Sequence, residues 1–222
     1  MQRMLDTCSL YGKLHDILFN AKKTAIMAVN HRFLKKPTMH IDNQIIAWVD
    51  HLNYLGISFT ASTRLNVDIN PIKRKFYAVV NSVFSRNSNL EDPVKVHLVN
   101  SYCLPILVYC IGALELDVHS ISSLGVCWNN AFRKIFHYSR HESVKLLQFF
   151  FGCMDFQHVY DLARIRFINS ITVKLPYLSL VCQCHELQFR TQFKLCNVYD
   201  FNGCSVTGAV HEHFKSVVMN RN

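Results

Sequence analysis

Residues 96 to 114 contain no Asp, Glu, Lys or Arg over nineteen positions, and no other feature restricts the folding options of this chain so sharply. An uncharged stretch of that length approaches what a membrane-spanning helix needs, so it must be buried either in a bilayer or against a protein core. Its interior favours the core. His97, Asn100 and Ser101 are polar, Pro105 would break or kink a helix near its centre, and no cluster of positive charge marks one flank. The expectation is a buried helix and no membrane contact. A hydrophobic share of 50% over 222 residues supplies enough apolar side chain for a substantial core.

The pattern changes along the chain. Leu5, Leu10, Leu14 and Leu18 predict a helix over 5–18, weakened by Gly12, and residues 20–23 interrupt it as a turn. The apolar run 24–29 has strand length, a basic loop occupies 31–37, and 41–49 and 52–59 read as two further strands separated by Asp50-His51. Asp68-Ile69-Asn70-Pro71 then supplies helix-start residues, and Ile72, Phe76, Val80 and Val83 continue as an apolar stripe, with Lys73, Arg74 and Lys75 on the other faces. Further helices are predicted over 93–114, 119–136, 143–150 and 157–171. From Lys174 the period weakens, with Pro176, Gly203 and Gly208. The fold class expected is α+β: a small mixed region over 1–60, a helical region over 61–172, and a weakly patterned tail over 173–222. The boundary between the first two is placed at Ala61-Ser62-Thr63.

Charge follows the same division. The net +9 is uneven: residues 1–86 hold twelve basic and five acidic side chains, whereas 87–222 hold twelve and ten. A basic region is the electrostatic footprint expected for phosphate backbones, and equally a route to solubility. Nine cysteines at irregular spacing do not form a disulfide framework. Cys8, Cys103, Cys110, Cys127 and Cys153 sit among apolar neighbours, as small buried hydrophobes do. Together with an N-terminal sequence that lacks the apolar core of a signal peptide, this gives an expected location in the cytoplasm or nucleus.

Two motifs and the segments downstream of them carry a resemblance. Phe19-Asn20-Ala21-Lys22-Lys23-Thr24 leads into a short strand, and thirty residues on Leu52-Asn53-Tyr54-Leu55-Gly56-Ile57 forms a turn ending in another. This pair resembles the end of the palm in reverse transcriptases of non-LTR, LINE-type retrotransposons, and Tyr54-Leu55-Gly56 is similar to their primer-grip hairpin. Residues 69–81, the run Lys95-Val96-His97-Leu98-Val99-Asn100-Ser101-Tyr102-Cys103-Leu104-Pro105, and Cys127-Trp128-Asn129-Asn130-Ala131-Phe132-Arg133-Lys134-Ile135-Phe136 resemble the helical thumb and the segment after it. The resemblance covers roughly residues 1–170.

It implies a C-terminal portion of an RNA-directed DNA polymerase that starts after the catalytic aspartates. Such chemistry needs carboxylates converging on two Mg²⁺ ions. This chain has no Asp-Asp pair, and Glu91-Asp92 precedes Pro93 at a helix start, where acids suit the helix dipole. The chain is therefore expected to be inactive alone and to need no cofactor, Mg²⁺ belonging to the parent family. By the resemblance Lys23 matches a lysine beside the nucleotide site; a solvated loop lysine is the plainer alternative. Tyr54, Leu55 and Gly56 would present a tight turn to the primer end, or form an ordinary hairpin. Lys73, Arg74 and Lys75 are candidates for phosphate contacts, or a solvated face. Trp128 and Phe132, four apart, have core spacing, and Phe149-Phe150-Phe151 reads as buried. Cys182, Cys184, His185, Cys196, Cys204, His211 and His213 include ligand types that zinc prefers, but their spacing departs from a regular knuckle, so no metal site is assigned. The partners implied are an RNA or DNA template–primer, bound weakly and with sequence tolerance, and the palm and fingers portion of such a polymerase. A host-retained, non-enzymatic nucleic-acid-binding module is the alternative.

Overall fold

The computed structural model describes residues 1–31, 36–86, 89–174, 198–199 and 205–220. The fold is α+β, and the chain separates into two compact units, Met1–Asp68 and Ile69–Asn222. The break follows Asp68 rather than Ala61-Ser62-Thr63, because those residues form the turn of a hairpin whose second strand still belongs to the first unit.

In the first unit, helix α1 (Gln2–Leu14) lies along the edge of a three-stranded sheet in the order β1-β3-β2, formed by Ala25–Ile26, Gln44–Trp48 and Met39–Ile41. Strand β1 runs parallel to β3, and β2 antiparallel to it. The Gln2 side-chain amide completes the edge, donating to the His40 carbonyl and accepting from the His40 N–H, each at 3.0 Å. The stretch 41–49 is thus not one strand. Asp42 and Asn43 both adopt positive φ and turn the chain back on itself, a conformation these two residue types tolerate well. Ala21, Ile26, Ile41 and Ile46 form a small core, with Leu5, Phe19, Met39 and Trp48 packed on it.

A second sheet is an antiparallel meander, β4 (His51–Tyr54), β5 (Ile57–Ala61) and β6 (Leu65–Asp68). Strand β6 was not expected from the sequence. Of these strands only Ile57 is fully buried.

The second unit is helical. Helix α2 (Asn70–Arg86) starts at the Pro71 signal and buries Phe76 and Val80. The uncharged stretch forms a helix in three parts: α3 (Asp92–Leu98), a π-helical turn (Val99–Cys103) and α4 (Leu104–Val108), followed by a 3₁₀ turn (Ile111–Ala113). Pro105 has no N–H to give the Ser101 carbonyl, and the wider turn bonds the Leu104 N–H to Val99 instead, so the helix continues where a break or kink was expected. By length and composition Asp92–Ala113 is able to cross a membrane, and 28% of its most apolar window is buried. The buried residues, Val96, Val99, Cys103, Leu107 and Ile111, form one stripe that joins the protein core.

That core is completed by α5 (Val118–Phe136), which buries Leu124, Cys127, Trp128, Ala131, Phe132 and Ile135 at helical spacing. Trp128 and Phe132 pack edge to face at 5.0 Å, and the indole N–H donates to the Met154 carbonyl at 3.0 Å. Helices α6 (Lys145–Phe150), α7 (Phe156–Lys174) and α8 (Val206–Met219) follow. Over 156–170 helix α7 is buried around most of its circumference. Gly112 lets the 3₁₀ turn approach it, since a Cβ there would lie 2.6 Å from the Ala163 carbonyl oxygen. Helix α8 arises from the stretch that read as a weakly patterned tail. The Ser205 side chain caps its first turn, and Ala209, Val210, Phe214 and Val218 are buried.

Candidate nucleic-acid interface

The Asn20-Ala21-Lys22-Lys23-Thr24 motif is first of all a turn. The Asn20 side chain accepts from the Lys23 N–H at 3.2 Å and the Thr24 hydroxyl donates to the Asn20 carbonyl at 2.9 Å. Asn20 and Thr24 therefore set the backbone ahead of β1, and the Lys23 side chain is left exposed.

Tyr54, Leu55 and Gly56 form the tip of the β4–β5 hairpin. Leu55 and Gly56 have φ of 48° and 78°, so this is a tight reversal with two left-handed positions. Glycine adopts that region without strain, whereas a leucine there costs on the order of 1–2 kcal/mol. Asn53 and Ser58, directly opposite one another, hold the hairpin with a 2.5 Å side-chain hydrogen bond. The tip thus presents two large apolar side chains to solvent, Tyr54 at 62% and Leu55 at 68% exposure. Lys23 precedes one sheet of the first unit and this tip belongs to the other, while the basic triplet of α2 belongs to the second unit.

The triplet does not act as one face. Consecutive residues on a helix point about 100° apart, and the structure separates them accordingly. Lys73 is half-buried and donates to the Ser123 hydroxyl of α5 at 2.8 Å, while Arg74 and Lys75 are exposed. The expectation that all three face outward is therefore corrected for Lys73.

Other cations converge where the sequence carried no signal. Phe84 of α2, Lys95 of α3, and Arg133, Lys134, Ile135 and His137 at the end of α5 line a cleft of about 430 Å³. Counting charge along the chain hid this group, because its cations fall in the nearly neutral portion after residue 86. Three helices bring them together.

Two apolar assignments need adjustment. Cys8 and Cys110 are exposed rather than buried, and Phe150 is 79% exposed. Cys103, Cys127 and Cys153 are buried, and burial pushes the Cys103 and Cys153 thiols up to about 11. Cys182, Cys184, His185, Cys196 and Cys204 lie outside the described residues.

A polar chain with no signature in the sequence joins α6, α7 and α8. Lys145 pairs with one Asp155 oxygen at 3.0 Å, and the other oxygen meets His158 Nδ1 at 2.5 Å. His158 Nε2 lies 3.0 Å from His213 Nδ1, and the Tyr199 hydroxyl donates to Asp161 at 2.5 Å. Burial opposes ionisation of Asp155, but the hydrogen bonds and charge of His158, with Lys145, outweigh it and hold the carboxyl well below the usual range. Burial raises the Asp161 carboxyl and, with the positive charge of His158, lowers His213. The Ser216 hydroxyl donates to the His213 carbonyl and leaves the ring untouched. Among the described residues no three metal-ligating side chains gather at one point. The chain's evident work is to tie three helices together.

No protein-family model, curated protein or solved structure matches the chain.

Proposed function

We propose that this chain is a portion of a LINE-type RNA-directed DNA polymerase that lacks the catalytic carboxylates, is inactive alone, and binds a template–primer duplex weakly and without sequence preference. The observation that carries the reading is α2. Phe76 and Val80 fix it to the helical core, so Arg74 and Lys75 are held outward on a rigid element. Such a helix suits contact with a phosphate backbone, which positions a duplex without reading bases. The apolar hairpin tip at Tyr54-Leu55-Gly56 supports it, since it holds Leu55 in a left-handed conformation and leaves the Tyr54 and Leu55 side chains largely exposed. Lys23 has no part without a nucleotide site. In this reading the uncharged helix belongs to the protein core and not to a bilayer, and the partners are RNA or DNA and the palm and fingers of the polymerase.

The test is binding of a labelled duplex by the full chain across a salt series. Each phosphate contact contributes roughly 0.9 to the slope of log affinity against log salt on DNA. Replacing Arg74 and Lys75 together by Gln should flatten it by about two units if both touch phosphate, whereas Lys73→Gln should leave it unchanged. An unaltered slope in a folded Arg74/Lys75 variant would show that this face is only solvated.

A further inference from the structure

We propose that the cleft bounded by Phe84, Lys95, Arg133, Lys134 and His137 seats a nucleic-acid phosphodiester backbone; this rests on the nucleic-acid-binding reading and adds to α2 a second and better organised phosphate contact. The Arg133 guanidinium donates twice to the Glu142 carbonyl, at 3.1 and 3.0 Å, and once to the Asn130 side chain at 2.9 Å. Lys134 donates to the Asn81 side chain at 2.8 Å and stands 5.0 Å over the Phe84 ring. Every one of these acceptors is neutral. The charges are oriented by carbonyl, amide and ring without being cancelled, and neither Arg133 nor Lys134 has a carboxylate partner among the described residues.

Lys95 adds a third cation, shared with Asp92 at 3.1 Å. Of the other acids nearby in sequence, Glu91 is exposed at the start of α3 and Glu142 has its carboxylate bound to the Ser139 N–H. His137, Arg140 and His141 extend the basic run along the exposed loop after α5.

The end of a helix accounts for part of this arrangement, because cations near the α5 carbonyls complement its dipole. It does not account for Lys95, which comes from another helix, or for the aromatic wall. Lys134 and His137 are exposed, so the cleft is open along one side. An open basic groove, with the Phe84 ring under Lys134 as one wall, fits a polymer backbone that passes through it better than a small enclosed anion.

The experiment uses the full chain, with a fluorescein-labelled DNA duplex and the matching RNA–DNA hybrid, followed by anisotropy across a salt series. Lys134→Gln, which removes the charge and keeps a polar side chain, should flatten the salt slope on the DNA duplex by about 0.9, and Lys95→Gln by a similar amount. Lys134→Arg should retain it. Inorganic phosphate at matched ionic strength should not displace the duplex. If it does, the cleft is a site for the free anion and the proposal falls. An unchanged slope in Lys134→Gln, with a flattened one in the Arg74/Lys75 variant, overturns the cleft and leaves the proposed function standing. No binding of either duplex by the unaltered chain at low salt removes both. Should Lys95→Gln unfold, because its side chain is mostly buried, the exposed Lys134 carries the test by itself.

Discussion

The two units are held together by different amounts of the same force. Among the described residues of the second unit, a main apolar core runs from Phe76 through Val99, Leu107 and Trp128 to Phe156 and Tyr160, and a second cluster joins Leu162, Ile165, Tyr199 and Val210. Residues 1–68 have a core of Ala21, Ile26, Ile41 and Ile46, and a meander with one fully buried residue in its strands. The first unit also leaves Leu10, Leu14, Leu18, Ile45 and Leu65 exposed. A three-stranded sheet gains independent stability only when an apolar face is covered. The helical unit is therefore self-sufficient in buried area, whereas the smaller unit depends on a few side chains and on hydrogen bonds such as those from Gln2.

The chain's two tryptophans, Trp48 and Trp128, fall one in each unit and allow the contrast to be tested. Phe132→Ala, in a Trp48→Phe background, should cost about 3–5 kcal/mol in urea unfolding followed by Trp128 fluorescence. Ile46→Ala, in a Trp128→Phe background, should cost about 2–4 kcal/mol followed by Trp48, while Leu14→Ala, 72% exposed, stays within about 0.5 kcal/mol. A large loss from Leu14→Ala would break the contrast, since it would mean that the exposed face of α1 is structurally engaged.

The polar chain sharpens it further through pH. The folded state keeps His213 below its ordinary value, through burial and then the charge of His158. Above about pH 6.5 this histidine is neutral in both states and contributes no difference. As pH falls below that value the unfolded chain takes up the proton first, so stability of the second unit declines. Asp155 has a depressed carboxyl, so its contribution is complete above about pH 4 and is lost on further acidification. His213→Gln should remove the first decline and keep the second, read from urea midpoints in a pH series with Trp128 as probe. An identical near-neutral decline in the variant would assign the titration elsewhere.

The smallest effect belongs to the hairpin tip. Leu55→Gly should relieve left-handed strain and raise stability of the first unit by up to about 1 kcal/mol, less the entropy that glycine gains in the unfolded chain. If the tip also touches nucleic acid, the same variant binds the labelled duplex more weakly while melting later.

Long helices were the legible part of this fold. The stripe from Leu124 to Ile135 and the Pro71 start signal placed α5 and α2 because repeated spacing and a helix-start residue act locally. Turns inside apolar runs were missed, although Asp42-Asn43 carried a readable left-handed signal. Helix α8 was hidden by Gly203 and Gly208, yet Val210, Phe214 and Val218 keep a spacing of four. The basic cleft could not be read at all: Phe84, Lys95 and Arg133 to His137 are distant in sequence and meet only when three helices pack. Local pattern also misjudged Lys73, whose direction is set by Ser123 on a different helix.

The π-helical turn at Val99–Cys103 bears on how this protein tolerates changes in chain length. A π turn accommodates one residue more than an α turn while leaving the helix on both sides in its original orientation. Val96 before it, Val99 and Cys103 at its two ends, and Leu107 and Ile111 after it consequently stay on the same core, and the surplus is taken up where Asn100, Ser101 and Tyr102 face outward. Losing one of those three would draw the segment toward regular α-helix and keep both flanks on the core, at the expense of the room that the wide turn gives Pro105. Losing one residue from the neighbouring α3, by contrast, would rotate its apolar stripe by about 100°. The longest uncharged stretch of the sequence thus contains its own point of slack.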